Sequence, residues 1–211
     1  MPRPSPLGVV ERIRRLRKGS RRALERFYAR EHDPFHFDTN PYETGKFDDL
    51  LEVIGEGPFR HALEVGCSIG SFTERLAPRC EDLLATDISE VAVDRARRRL
   101  AAHPQVRVER RTIPGEMPDG AFDLIVCSDV LYYLPTRRLK RTLGELAGRL
   151  APGGSIVSLH WLGEHGAPVS GDEVHDLQEQ AWRDLEHVAK LHRAGVGPHG
   201  AGYRLDRYDR R

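Results

Sequence analysis

The sequence predicts an α/β fold with a mostly parallel β-sheet, because short apolar segments alternate with amphipathic ones from about residue 60 onward. A second observation is the glycine-containing turn at residues 64–70, between the first strand-like segment and the first helix-like one. In folds of this class, ligands bind at such turns. A third observation is that two strand-like segments close the chain, which is typical of an antiparallel edge on an otherwise parallel sheet.

The elements follow one another in a regular order along the chain. Seven strands are predicted, at residues 61–66, 83–88, 106–113, 121–130, 154–162, 187–193 and 202–209. The helices predicted between them cover residues 71–80, 89–103, 136–150 and 170–187. The sequence therefore predicts a doubly wound sheet, mostly parallel, with helices on its faces and an antiparallel edge.

The segment before the sheet is predicted to be helical. Apolar residues recur at roughly helical spacing in the basic N-terminal part, at Val10, Ile13, Leu16, Leu24, Phe27 and Tyr28. We interpret this part as one or two amphipathic helices with a solvated arginine face, although a patch for an anionic partner is the alternative. A later helix is predicted from Pro41 to about Gly55, with Asn40 as its N-cap and Glu43 completing a capping box.

Composition sets the broad class of the protein. The chain of 211 residues has 39% apolar and 31% charged residues and a formal net charge of +1, as soluble globular proteins have. The near-neutral charge disfavours nucleic acid as a partner, and no apolar run is long enough to span a membrane. No signal-peptide core is evident, so we expect a cytoplasmic protein with free thiols at Cys67, Cys80 and Cys127 and no metal site.

The turn at residues 64–70 predicts a nucleotide-like ligand. Gly66 ends the strand and Gly70 begins the helix, but Ser68 stands where a dinucleotide fold requires a second glycine. Glu64 lies two residues before the first glycine, and a carboxylate there suits a cationic ligand better than a pyrophosphate. Asp87 ends the second strand, where an acidic residue commonly binds the ribose hydroxyls of an adenosine.

Four segments in order carry a resemblance to a known family. "EVGCSIG", "TDIS", "FDLIVCSDVLYYL" and "LAPGGSIV" resemble the class I methyltransferases that use S-adenosylmethionine. "DPFHFDTNPYETGKF", "LHWLGEHGAPVSGDEVHD" and "GYRLDRYD" are similar to the nodulation S-type branch of that class. The resemblance implies a Rossmann-like fold and methylation of the free amine of a deacetylated chitin-like oligosaccharide. It also implies S-adenosylmethionine as the cofactor and S-adenosylhomocysteine as the product.

The resemblance also implies a set of cofactor-binding residues. The chain departs from the family pattern after the third strand, where Thr112 and Ile113 replace the acidic residue that receives the adenine amino group. Residues 1–55 are expected to form N-terminal helices and a cofactor lid, and residues 56–211 the core, in one domain overall. The expected cofactor-binding residues are Phe37, Tyr42, Lys46, Glu64, Gly66, Cys67, Ser68, Gly70, Ser71, Phe72, Asp87, Ile88, Ile113, Ser128 and Asp129.

Four residues are candidates for contact with the methyl acceptor. Asp129 and Tyr133 follow the fourth strand, His160 lies near the carboxyl end of the fifth, and His175 lies in the helix after it. Each has a structural alternative. Asp129 would be a turn or helix-cap aspartate, and Tyr133 would be a core residue. His160 would be a hydrogen-bonded buried histidine, and His175 would simply belong to a helix that begins with a capping box. Lys46 has one as well, as a solvated lysine on an ordinary packed helix.

The functional prediction is a small-molecule N-methyltransferase that acts on an amine, such as an amino sugar or a natural product containing one. Enzyme alternatives are an O-methyltransferase for a sugar or phenolic hydroxyl and an RNA or protein methyltransferase. A catalytically inactive partner protein that binds the cofactor is a further alternative. The sequence leaves both a monomer and a homodimer open.

Overall fold

The computed structural model describes residues 21–164, 166–197 and 200–211. The predicted helical positions Val10, Ile13 and Leu16 lie outside these ranges. Two helices precede the sheet: α1 (Arg21–Arg30) and α2 (Pro41–Ile54). Asn40 caps α2 as predicted, because its side-chain oxygen accepts a hydrogen bond from Tyr42 N at 3.0 Å.

The predicted capping box at the start of α2 is wrong. The backbone N–H of Asn40 donates to His36 O at 2.9 Å, which leaves no donor there for Glu43. The Glu43 carboxylate instead lies 2.8 Å from the Lys46 ammonium, one turn further along the helix. A local spacing rule therefore failed where a buried cation offered the carboxylate a stronger partner.

Strands and helices alternate through the rest of the chain. The strands are β1 (Ala62–Val65), β2 (Leu83–Asp87), β3 (Val106–Arg110), β4 (Phe122–Ser128), β5 (Leu150–Trp161), β6 (Glu186–Arg193) and β7 (Tyr203–Asp209). The helices are α3 (Ser71–Leu76), α4 (Glu90–Arg99), α5 (Thr136–Gly148) and α6 (Gly171–Ala181), with short 3₁₀ turns at Ala77–Arg79 and Leu131–Tyr133.

The seven strands form one sheet in the order β3-β2-β1-β4-β5-β7-β6. Strands β1 to β5 pair in parallel, whereas β7 pairs antiparallel to both β5 and β6. The strand order reverses between β1 and β4, and a crevice opens at the carboxyl ends of the strands at such a point. The predicted fold class, a Rossmann-like sheet with an antiparallel edge, is confirmed.

Apolar residues bury both faces of the sheet. On one face Leu50 of α2 and Phe72 of α3 pack with Val126 and Leu159, and on the other Leu143 of α5 packs with Ile125. Helix α1 lies against α4, where the Glu25 carboxylate accepts hydrogen bonds from the start of that helix. In this way α1 is anchored to the start of α4.

Within the described ranges, no helix combines the length and apolarity needed to cross a bilayer. The same residues contain no group of three or more histidine, cysteine, aspartate or glutamate side chains able to hold a metal ion. Cys67, Cys80 and Cys127 are free and buried.

Candidate active site

A cavity of about 580 Å³ lies at the carboxyl ends of β1, β2 and β4. Helices α1 and α2 cover one side of it, and the segments after β4 and β5 form the other. Of the predicted cofactor-binding residues, those that line this cavity are Phe37, Tyr42, Lys46, Glu64, Gly66, Cys67, Ser68, Ser71, Phe72, Asp87, Ile88, Ile113, Ser128 and Asp129.

Gly70 is the predicted cofactor residue that does not line the cavity. Its φ of 83° is left-handed, and a Cβ atom there would lie 3.2 Å from Ala96 Cβ in α4. The absence of a side chain therefore lets α4 pack against the turn. Gly66 also has a φ of 83°, and its Cβ would lie 2.6 Å from Val130 Cγ2. Glycine is required there for backbone conformation and for room beside Val130.

Asp87 is fixed by backbone donors on both sides. Its Oδ2 accepts a hydrogen bond from Ser68 N at 3.0 Å, and its Oδ1 accepts one from Ser89 N at 2.9 Å. Burial raises the pKa of Asp87 to about 6. The two carboxylate oxygens keep further lone pairs for ligand hydroxyls, since each oxygen can accept two hydrogen bonds.

Glu64 is a buried carboxylate at the floor of the cavity. Only 3% of the residue is exposed. Among the described residues, the Glu64 Oε2 atom has no hydrogen-bond partner. Burial raises the pKa of Glu64 to about 7. A buried carboxylate oxygen without a hydrogen-bond partner is costly, and a cationic ligand in the cavity would compensate the charge. The residues of the turn therefore fit a ligand with an adenosine part and a positively charged part.

Lys46 is buried and paired, which excludes the alternative of a solvated lysine. Only 3% of the residue is exposed, and its ammonium forms ion pairs with the carboxylates of Glu43 and Asp129. Burial alone would lower the pKa of Lys46, but Asp129 and Glu43 raise it above the ordinary value. The lysine therefore remains charged and links α2 to the end of β4.

Asp129 has a left-handed backbone, with a φ of 51°. Its Oδ1 atom accepts hydrogen bonds from Trp161 N at 2.7 Å and from the Tyr132 hydroxyl at 3.2 Å. The Tyr132 and Tyr133 rings meet edge to face with centroids 4.7 Å apart, and Tyr133 lines the cavity. This end of the cavity therefore combines a fixed carboxylate with aromatic walls.

His160 and His175 do not line the cavity, so the predicted contact of these two side chains with the acceptor is not supported. Both are fully buried behind the wall. His160 Nε2 accepts a hydrogen bond from Leu131 N at 3.3 Å, and His160 Nδ1 lies 3.3 Å from His175 Nε2. His175 Nδ1 lies 2.8 Å from Asp206 Oδ2. The structural alternative, a hydrogen-bonded buried histidine, describes this arrangement.

The predicted capping box before α6 is present. The Ser170 side chain accepts a hydrogen bond from Glu173 N at 3.2 Å, and Glu173 accepts one from Ser170 N at 2.7 Å. The helix therefore begins as the sequence rule indicates. Its buried face carries His175 away from the cavity.

Sequence reasoning missed several residues of the cavity wall. The Tyr28 hydroxyl lies 2.8 Å from Ser68 Oγ, so α1 contacts the glycine turn directly. Glu43 lines the cavity beside Lys46. Arg111 and Arg138 also contribute to the wall. Only Glu43 had a usable signal, because it lies three positions before Lys46 and such residues share a helix face.

Two curated relatives are similar to this chain over 127 residues each. Nodulation protein S of Rhizobium tropici is 39% identical over 59% of this chain and 53% of its own length. Nodulation protein S of Sinorhizobium fredii is 37% identical over 59% of this chain and 59% of its own length. The chain thus spans just over half the length of these curated relatives.

A solved structure extends the similarity to most of the fold. The crystal structure of the N-methyltransferase NodS from Bradyrhizobium japonicum WM9, in complex with S-adenosyl-L-homocysteine, matches with a TM-score of 0.80 and 28% identity. The match covers 90% of this chain and 97% of that one. The sequence model of the family described as nodulation protein S (NodS) matches residues 17–159, about two thirds of the chain. The predicted resemblance is confirmed, and this chain belongs to the nodulation protein S (NodS) family.

Proposed function

We propose that this chain transfers a methyl group from S-adenosylmethionine to the amine of a small molecule. The observation that carries the proposal is the pair of buried carboxylates, Glu64 and Asp87, on one cavity beside the glycine turn. One carboxylate suits a cation and the other suits vicinal hydroxyls, and S-adenosylmethionine carries both. The name of the Bradyrhizobium protein, an N-methyltransferase, supports nitrogen as the acceptor atom.

The residues around the turn would hold the cofactor. Asp87 would accept hydrogen bonds from the ribose hydroxyls, and Ile88 and Ile113 would flank the adenine. Glu64 would lie near the cationic methionine part. The sulfonium of the bound cofactor supplies an electrophilic methyl group, so the protein needs no covalent intermediate.

The opposite end of the cavity would hold the acceptor. Asp129, Tyr133 and Trp161 line this end, and rigid walls can align two reactants to an extent worth roughly 7–11 kcal/mol. The acceptor amine must be neutral to react, so a group at this end must take up its proton. Asp129 and Glu43 are the carboxylates of the described residues that flank this end.

The segment before the sheet would act as the lid over the cofactor. Tyr28, Phe37 and Tyr42 line the cavity from that side. A cover of this kind excludes water and strengthens the electrostatic contacts inside the site. We propose this role for α1 and α2. The cytoplasmic location and a homodimer remain predictions.

We propose amino sugars as the acceptor class, as the resemblance of the sequence to the nodulation S-type branch implies. The test is incubation with methyl-labelled S-adenosylmethionine and matched acceptors, glucosamine oligomers against their N-acetylated forms. We expect the label on nitrogen in the free-amine series, as located by mass spectrometry. Label on a hydroxyl oxygen in both series would replace the proposal with the O-methyltransferase alternative. Tight cofactor binding without transfer to either series would favour the inactive partner protein.

A further inference from the structure

Two carboxylates flank the Lys46 ammonium at the acceptor end of the cavity, and their surroundings differ. Asp129 accepts hydrogen bonds from three donors: Lys46 Nζ, Trp161 N and the Tyr132 hydroxyl. These three donors fix the orientation of the carboxylate and occupy most of its four lone-pair sites. Asp129 is therefore suited to hold Lys46 and the end of β5 in place.

Glu43 has the opposite surroundings. Its side chain lines the cavity and is only 13% exposed. The Oε2 atom lies 2.8 Å from Lys46 Nζ but outside hydrogen-bond geometry, and it has no hydrogen bond among the described residues. Glu43 therefore has an ion pair without the set of donors that fixes Asp129.

The charged groups around Glu43 shift its pKa in both directions. Burial raises the pKa of Glu43 above the ordinary glutamate value, and Lys46 on the same helix lowers it. Asp129 after β4 and Asp33 in the loop before α2 both raise it. Tyr42, the preceding residue of α2, also lines the cavity, and burial raises its own pKa well above the ordinary value, so it remains neutral. The balance leaves Glu43 more basic than an exposed glutamate.

We propose that Glu43 is the catalytic base that removes a proton from the acceptor ammonium, while Asp129 orients Lys46 as a positioning residue. This inference rests on the proposed function. In the step, an N–H bond of the ammonium breaks and an O–H bond forms on the Glu43 carboxylate. The electron pair of the broken bond stays on nitrogen, which is then neutral and able to attack carbon. The proton later leaves Glu43 for water.

The placement of the base has a structural consequence. Glu43 belongs to α2, which covers the cavity, whereas Asp129 belongs to the sheet edge. The Lys46 bridge connects the two. The proposed base on the covering helix is thereby tied to the sheet edge.

The first test compares Glu43→Gln with Glu52→Gln, which changes an exposed glutamate of the same helix. With glucosamine oligomers as the probe, we expect Glu43→Gln to lower kcat about a hundredfold or more and to abolish the acid limb of the kcat–pH profile. Glu43→Asp should retain that limb at a reduced rate, and Glu52→Gln should match the unaltered protein. An unchanged kcat and acid limb in Glu43→Gln would overturn the proposal.

A second measurement does not need turnover. Carboxyl carbon NMR of protein labelled with [5-¹³C]glutamate, with Glu43→Gln to assign the resonance, reports the Glu43 titration directly. We expect a midpoint above the ordinary glutamate value, and a midpoint at or below that value would overturn the proposal. Calorimetry with S-adenosylhomocysteine separates the proposed role of Glu43 from the proposed function of the protein. Failure to bind it contradicts the proposed function, whereas the NMR midpoint judges Glu43 alone.

Discussion

The Lys46 ammonium on the covering helix forms a buried ion pair with the Asp129 carboxylate, 83 positions later at the end of β4. The pair joins helix α2, which covers one side of the cavity, to the end of β4 at the carboxyl edge of the sheet. Because Asp129 is also bonded to Trp161 N, the contact continues into β5. Three separate parts of the chain are thereby held together at this end of the cavity.

Replacement of Lys46 should destabilise the protein. In Lys46→Met the Asp129 charge loses its counterion in a largely buried site, so we expect the free energy of unfolding to fall by about 3 kcal/mol. Denaturant unfolding measures the change. Lys140→Met is the matched control, because that lysine is exposed on α5. Equal stability of the two variants would show that the ion pair contributes nothing.

Cofactor affinity should depend on pH through Glu64. Burial raises its pKa to about 7 in the free protein, so below that pH the carboxyl is largely protonated. A cationic ligand favours the ionised form, and the affinity should therefore rise with pH, by up to about tenfold per unit, and level off above about pH 7. Calorimetry with S-adenosylmethionine between about pH 5.5 and 8.5 tests this.

The variant Glu64→Gln identifies the group that causes this dependence. The amide has the same shape but cannot ionise, so we expect weaker binding at high pH and a flat profile near neutrality. Asp87, whose pKa burial raises to about 6, would still contribute a dependence at lower pH. A profile that keeps its midpoint near neutrality in Glu64→Gln would exclude Glu64 as the titrating group.

Asp87→Ala should weaken cofactor binding strongly. Loss of two charge-assisted hydrogen bonds to ribose hydroxyls corresponds to about 3 kcal/mol, or roughly a hundredfold in Kd. The variant also frees Ser68 N and Ser89 N, so its unfolding curve must be measured beside its Kd. A Kd equal to that of the unaltered protein, in a folded variant, would contradict the assignment of Asp87 to the ribose.

The predicted site residues with a clear signal in the sequence are those whose signal is local. Gly66 and Asp87 follow directly from strand ends, where the position along the chain fixes the position at the sheet edge. The Lys46–Asp129 pair joins residues too distant in sequence for any spacing rule to find.

His160 shows a different limit of sequence reasoning. Its place near the end of β5 was predicted correctly, but successive side chains of a strand point to opposite faces. Trp161 lines the cavity, whereas His160 points toward His175 in α6. The packing of α6 decides which of these two side chains points into the cavity. The strand pattern alone does not contain that information.

Substitution of Gly66 should destabilise the turn. In Gly66→Ala the new Cβ would lie 2.6 Å from Val130 Cγ2, on a backbone with a φ of 83°. We expect a loss of about 2–4 kcal/mol in the free energy of unfolding. Gly144→Ala is the control, because a Cβ there meets nothing within 4 Å in the middle of α5. That change should stabilise the helix by up to about 1 kcal/mol. If Gly66→Ala were as stable as the unaltered protein, the steric role of this glycine would be refuted.

Removal of the His160 imidazole should lower the free energy of unfolding and leave the turnover of the folded protein unchanged. His160→Ala leaves Leu131 N and His175 Nε2 without this partner in a fully buried site, so the free energy of unfolding should fall by about 2–4 kcal/mol. His187→Ala is the control at the partly exposed end of the same network, where the His187 side chain is 29% exposed and lies 3.3 Å from Asp206. There the loss should be about 1 kcal/mol or less.

Burial lowers the pKa of His175, although Asp206 opposes this shift, so the neighbour of His160 is neutral. His160 and His175 are fully buried and do not line the cavity, so this pair cannot exchange a proton with an acceptor there without disrupting its own hydrogen bonds. Methyl transfer by His160→Ala should therefore fall only as far as the folded fraction falls. A fully folded variant with strongly reduced turnover would return His160 to a role in the reaction, since lost stability could not account for that result.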